Sequence, residues 1–240
     1  MAKSFANREV ADLMFVEYET KKPFMNFDLA NTTGYDLEGD TVFAYGGQGH
    51  PKRVSFAGSR TGTFRVETQM QTVKLYQMIT GGTEATSVDF LQREVLTADG
   101  SGVLTMGKTP IAGSAYVFPF EDDCGTAATA TIDVDSKTAT VSDASEGDKF
   151  VVYYLTKLQD VNAMKITTKT FPRAFTIYGE TYEKTSEDEI IPYKMIAYKA
   201  TPQSNFSVDF SNEGDPTTIS VTFDLEATDD GDVLDLIMEE

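Results

Sequence analysis

Residues 205–232 read NFSVDFSNEGDPTTISVTFDLEATDDGD, two runs in which apolar and polar side chains alternate around a turn, with carboxylates throughout and no lysine or arginine. A period of two is that of a β-strand, whose successive side chains point to opposite faces. Phe206, Val208 and Phe210 share one face of the first run, and Ile219, Val221, Phe223 and Leu225 share one face of the second. Ser207, Asp209, Ser220, Thr222 and Asp224 fall on the other side. One face packs and the other meets water, so the stretch predicts an antiparallel strand pair with an acidic wet side.

Working outward, the same signature recurs in KRVSFAG, GTFRVET, ATATIDV, TATVS, KFVVYYL, MKITTKT and RAFTIYGE, short aromatic and β-branched runs separated by Gly, Asn, Asp and Pro. Val54 and Phe56 alternate before AGSRTG, and Phe64 and Val66 alternate after it. Residues 53–67 are therefore expected to form a hairpin with 57–62 at its tip. A second hairpin is expected where Ile132 and Val134 are followed by DSK and then Ala139 and Val141. One segment breaks the two-residue period. In TQMQTVKLYQMITGG, Met70, Val73, Tyr76 or Gln77, and Ile79 recur at helical spacing, Thr68 is placed to cap the start, and Gly81 and Gly82 to stop it. The pattern predicts a helix over 69–80. The fold class that follows is mainly β, an antiparallel sandwich or barrel with one principal flanking helix. No repeat and no linker divides the chain, so one domain over 1–240 is expected, with a β elaboration inserted at about 98–148, where Gly, Ala, Ser and Thr dominate.

The 240 residues suffice for a core without disulfides, and the single cysteine, Cys124, excludes an intrachain disulfide framework or a cysteine zinc cluster. A formal charge of −18, from 38 acidic against 20 basic residues, opposes adhesion to nucleic acid or anionic lipid. Neither a signal-peptide core nor an apolar run long enough to span a membrane is present.

Catalytic chemistry is thin. The only histidine, His50, lies in GGQGHPK, which lacks phosphate-loop spacing and reads as a turn, and no nucleophile motif surrounds Cys124. Asp229, Asp230, Asp232 and Asp235 lack the spacing and closing Glu of a calcium loop, and Glu121–Asp123 reads as a solvated acidic turn. Residue content thus points to a structural or binding protein without cofactor or metal.

The order of the pieces resembles the tail tube proteins of tailed bacteriophages. The likeness rests on DLMFVEYET, on GDTVFAYGGQGHPKRVSFAGSRTGTFRVETQMQTVKLYQMITGG, on FPRAFTIYGETY, and above all on IAYKATPQSNFSVDFSNEGDPTTISVTFDL. All of these lie outside 98–148. The tube proteins of type VI secretion and contractile bacteriocins are similar to that family, so a tube protein of a contractile injection system is an alternative that the resemblance leaves open. The resemblance implies a non-enzymatic virion protein of the tail, assembled in the host cytoplasm. It implies hexameric rings of the chain stacked into a tube that contacts tape-measure, tail-terminator and baseplate proteins, and in contractile tails a sheath. DNA passes through the lumen without sticking, and no membrane is bound. On that picture Asp209 and Asp224 are the candidate lumen-lining residues, repelling phosphates. Ala57, Gly58, Ser59, Arg60, Thr61 and Gly62 are candidates for contact between subunits. A head-decoration or neck protein, or an adhesin-like β-domain carrying a ligand on 98–148, is the alternative from the binding class. An enzyme working through surface carboxylates is the third.

Overall fold

The computed structural model describes residues 4–238 apart from 206, 209–211, 213 and 215. In chain order the elements are β1 (Phe5–Asn7), β2 (Asp12–Glu17), β3 (Pro23–Phe27), β4 (Thr32–Tyr45), β5 (Lys52–Thr68), α1 (Val73–Thr80), β6 (Thr83–Thr97), β7 (Val103–Thr105) and β8 (Tyr116–Pro119). They continue with β9 (Ala130–Asp133), β10 (Thr138–Val141), β11 (Lys149–Lys165), β12 (Phe175–Thr185), β13 (Ile190–Pro202), β14 (Ile219–Leu225) and β15 (Leu234–Met238). The protein is mainly β, its ladders are antiparallel, and α1 is the one α-helix among the described residues. The chain divides into two compact units, Met1–Thr83 with Met164–Glu240, and Glu84–Ala163.

The first unit is built on a nine-stranded sheet ordered β3-β2-β12-β13-β14-β5-β4, with β1 added to β12 and β15 to β13. Strands β2 and β14 lie three spacings apart in that order, about 14 Å if the sheet were flat. Yet the rings of Phe15 and Phe223 stack at 5.6 Å. Likewise the Tyr35 and Tyr193 hydroxyls, on β4 and β13, are 3.4 Å apart, and the Ala11 N–H donates to Thr33 Oγ1 at 3.0 Å. The sheet therefore curls around its own core. Its outermost strands, β3 and β4, form no ladder with each other, so it is not a closed barrel. Phe15, Phe27, Phe64, Phe223 and Leu13 fill the core, each burial contributing about 1.5–3 kcal/mol.

One side of the core is covered by α1, which contributes Leu75, Met78 and Ile79. The helix begins later than its periodicity predicts. Thr68, expected as the cap, is buried and donates from Oγ1 to the Leu29 carbonyl at 2.7 Å while accepting from the Met70 N–H at 3.0 Å. Thr72 caps instead, accepting from the Leu75 N–H at 3.1 Å. The helix ends as expected, on Gly81 in a left-handed conformation (φ 64°) whose N–H returns to the Gln77 carbonyl at 2.9 Å.

Strand β14 follows the predicted alternation: Ile219, Val221, Phe223 and Leu225 are buried, Ser220 and Asp224 exposed. Its partners differ from the expected ones. It pairs along its length with residues 62–68 of β5 and at its end with Ala200, Thr201 and Pro202 of β13. The described residues of 205–218 form no strand, although Val208 packs on the core; Phe206, Asp209 and Phe210 lie outside the described residues.

The larger departure concerns residues 53–67. AGSRTG is not a turn: residues 57–62 run inside the 17-residue strand β5 and pair with β4. The chain reverses at 46–51, where Gly47 (φ 89°), Gly49 (φ 84°) and His50 (φ 47°) adopt left-handed backbone. Between the pairs Gly39↔Arg60 and Thr41↔Ala57, the single residue Asp40 faces both Gly58 and Ser59, a β-bulge.

In the second unit two three-stranded sheets, β7-β10-β9 and β6-β11-β8, enclose a separate core around Leu104, Met106, Val152 and Tyr154. The predicted hairpin over 132–141 is present as β9 and β10, with Ile132 facing Ala139. KFVVYYL and MKITTKT, read as separate strands, belong to the single strand β11 up to Lys165. Residues 98–148, the expected elaboration, fall inside this unit. Burial pushes the Tyr154 hydroxyl's pKa up, and that hydroxyl donates to Glu94 Oε1 while accepting from the Lys108 N–H, both at 3.0 Å.

Candidate functional site

Two surfaces of the first unit carry the residues singled out by the sequence. The first is the wet face of β14, β5 and β4. Because paired residues share a face, Asp224 is flanked by Thr63 and then Asp36, Thr222 by Arg65, and Ser220 by Glu67 and then Thr32. Asp224 is exposed and accepts from Gln203 Nε2 at 2.7 Å, an amide rather than a cation. Cations absent from the linear stretch are supplied from elsewhere: Arg65 lies 3.3 Å from Asp36, and Lys199 lies 2.6 Å from Glu226. Lys199 and the Thr201 hydroxyl hold the Glu226 carboxyl below the usual carboxylate range. The face continues along β4 through Glu38 and Asp40, so its acidic residues come from strands far apart in sequence.

The second surface is the far half of the β4–β5 ribbon. Residues 52–61 of β5 are all exposed, as are 36–42 of β4, so the ribbon leaves the core as a two-stranded arm about 30 Å long at the rise of a strand. Ala57–Thr61, expected at a loop, are exposed strand positions near its base, and Gly62 is buried against the core. A Cβ on Gly62 would come within 2.8 Å of Leu37 Cδ2 and 3.2 Å of Leu225 Cδ1. The small residue there suits close packing against two leucine ends rather than a turn.

Beyond the bulge, Val42 faces Phe56 and Ala44 faces Val54 on one side of the arm. Val42 and Phe56 are each 58% exposed, and Val54 and Tyr45 are similarly open. On the other side, Lys52 Nζ sits 3.8 Å from the Phe43 ring centre. Residues 41–66 contain Lys52, Arg53, Arg60 and Arg65 and no acidic residue, in a chain of net charge −18. That acid-free window was the sequence signal for this surface, and the reading of 57–62 as a turn hid it.

Remaining candidates are dispersed. His50 sits in the turn that ends the arm, and Cys124 belongs to the second unit. Cys124 is exposed, in left-handed backbone, with Sγ 3.5 Å from both Asp123 Oδ1 and the Tyr153 hydroxyl. Arg93 binds Asp123 at 2.8 Å, holding that carboxyl below its ordinary range, and donates from Nε to the Tyr153 hydroxyl at 3.0 Å. The Asp229–Asp230 turn is closed by its own backbone, Gly231 N–H donating to the Thr228 carbonyl at 2.9 Å.

The first unit is thus a curled antiparallel sheet with an acidic wet face and an arm whose apolar residues are exposed among the described residues. The chain matches the YomU/Tube protein family over residues 7–235. It belongs to that family, a family of phage tail tube proteins, and is a structural tube component of a virion tail. No curated protein matches the chain.

Proposed function

We propose that the chain is the subunit of a phage tail tube, forming hexameric rings that stack around a negatively charged lumen through which DNA passes during ejection. The observation that carries this reading is the pairing, in a member of a tube family, of a largely acidic wet face with an arm whose apolar residues are exposed among the described residues. Asp224 lines the lumen in this reading. Carboxylates repeated around a ring repel phosphates and let DNA slide, the reverse of the counterion release by which basic proteins hold it. Asp209, which lies outside the described residues, is proposed for the same role on its sequence position alone. Residues 57–61, exposed at the arm's base, contact a neighbouring subunit, whereas Gly62 is turned into the chain's own core. The tape-measure protein fills the lumen before DNA does, terminator and baseplate proteins cap the tube, and a contractile tail adds a sheath.

Electron microscopy of the purified protein tests the reading. Tubes or six-fold rings are expected; a species that stays monomeric at millimolar concentration, in low and high salt alike, refutes it. Asp224→Lys changes two charges per subunit, about a dozen per six-fold ring, within a Debye length of roughly 10 Å of the passing strand. Virions carrying it should assemble and eject DNA more slowly, most of all in low salt. Ejection at the unaltered rate in low salt removes Asp224 from the lumen.

A further inference from the structure

The arm has a counterpart on the same chain. On the outer face of the curled sheet, over β2, β12 and β13, lies a cleft of about 340 Å³ lined by Asp12, Met14, Tyr178, Glu180, Ile196 and Ile237, among others. Two rows of paired residues cross it. Asp12, Glu180, Lys194 and Ile237 form one, and Met14, Tyr178, Ile196 and Asp235 the other. The second row is apolar over three strands, with Met14 46% and Tyr178 43% exposed. In the first row two carboxylates stand directly opposite each other, an arrangement that is unfavourable unless a cation joins it, and with Lys194 the row remains net negative.

We infer that the end of the arm of one copy docks in this cleft on the next copy, with Val42, Val54 and Phe56 against Met14, Tyr178 and Ile237, and Arg53, at the register shift near the arm's end, against Asp12 and Glu180, while Lys52 adds positive charge from the arm's other side. Charge decides the occupant: the acid-free window 41–66 brings positive charge to a row that stays net negative with Lys194 in it. Spacing agrees. The arm's two apolar pairs are two residues apart along the strand, as are the cleft's two rows, about 7 Å in each case. Arm and cleft are different patches of one molecule, so the contact is head-to-tail and propagates into a closed ring or an open filament. The inference rests on the proposed tube assembly and names the surfaces that meet in it.

The full chain carrying Cys124→Ser, Phe56→Cys and Met14→Cys tests the contact. Mild oxidation of assembled protein should give a ladder of covalent oligomers, while chains with only one introduced cysteine give at most dimers. A second set uses charge. Lys52→Glu with Arg53→Glu, and separately Asp12→Lys with Glu180→Lys, should each raise the concentration needed for assembly roughly tenfold. The chain with all four substitutions should recover to within about threefold of the original. A folding defect would not be repaired by adding two further substitutions, so recovery supports the contact whatever each pair does alone. Tubes that form without a ladder, or a four-substitution chain no better than either pair, overturn the docking and leave the tube reading standing. Absence of tubes, rings and ladder together overturns both.

Discussion

Gly81 ends α1 where a second stretch of backbone, at Phe171 and Pro172, presses against it. A Cβ built on Gly81 lies 2.2 Å from the Phe171 carbonyl oxygen, 2.4 Å from its carbon and 3.0 Å from the Pro172 nitrogen. None of these is the end of a flexible side chain, so Gly81→Ala must push the 171–172 backbone away by about 1 Å to restore ordinary contact. That displacement costs about 1–3 kcal/mol, as other forced overpacking does. The left-handed conformation at φ 64° adds about 1 kcal/mol for any residue with a Cβ. The sum is roughly 2–4 kcal/mol, which lowers the midpoint of thermal unfolding by roughly 4–16 °C for a protein of this size. Gly231→Ala is the control: its φ is 89°, but nothing lies within 4 Å of its Cβ position, so only the conformational part, about 1 kcal/mol, applies. Urea unfolding followed by tyrosine fluorescence reads both variants. Equal losses, within about 0.5 kcal/mol, would refute the claim that the approach of Phe171 is what makes glycine necessary.

Three further outcomes are expected. Phe223→Ala, which removes the ring stacked on Phe15 at full burial, should cost about 3–5 kcal/mol in urea unfolding. Thr72→Ala should cost about 1 kcal/mol, the usual loss at a helix cap, and should lower helical circular dichroism without altering the sheet signal. In the second unit, Asp99 is held below its ordinary value of 3.8 by the backbone N–H groups of Val103 and Ser101, Asp133 by Ser136, and Asp123 by Arg93. Each carboxyl binds its proton less readily in the folded than in the unfolded chain. Their stabilisation is therefore full above the ordinary carboxylate range and is lost as pH falls through the depressed folded values. Thermal melts between about pH 5 and pH 2 should show that loss, and Asp99→Asn should flatten it.

What the sequence made legible follows from what a local pattern encodes. The period of Ile219–Leu225 reports which side of a strand is buried, and the structure agrees residue by residue. The same period is silent on which strand lies alongside, and β14 finds β5 rather than the run before it. A helix start depends on which hydroxyl is free to cap. Thr68 and Thr72 are alike in sequence, but the Leu29 carbonyl, remote along the chain, occupies the first. Gly58, Ser59 and Gly62 have turn composition, but their glycines serve a bulge and a close contact with Leu37 and Leu225. At the candidate surfaces, the acid-free window of 41–66 was visible in the sequence, whereas the row Asp12, Glu180, Lys194 and Ile237 is assembled from four strands and exists only after folding.

The bulge at Asp40 sets a reading frame for the arm. A paired ribbon repeats every two residues, so adding or removing two residues in each strand beyond the bulge changes its reach by about 7 Å and leaves every side chain facing the same way. Losing one residue at 58–59 is absorbed by the bulge itself: Asp40 then faces a single residue, and Val42 still faces Phe56 and Ala44 still faces Val54 on the same side. Losing Ser55 is a different event, because it breaks the register between Phe56 and Val54 and turns Val54 to the opposite side. Length and chemistry are thus inherited separately in this arm: paired insertions and deletions tune how far it extends, the bulge takes up a single one at its own position, and a single one elsewhere in the ladder changes the surface the arm shows.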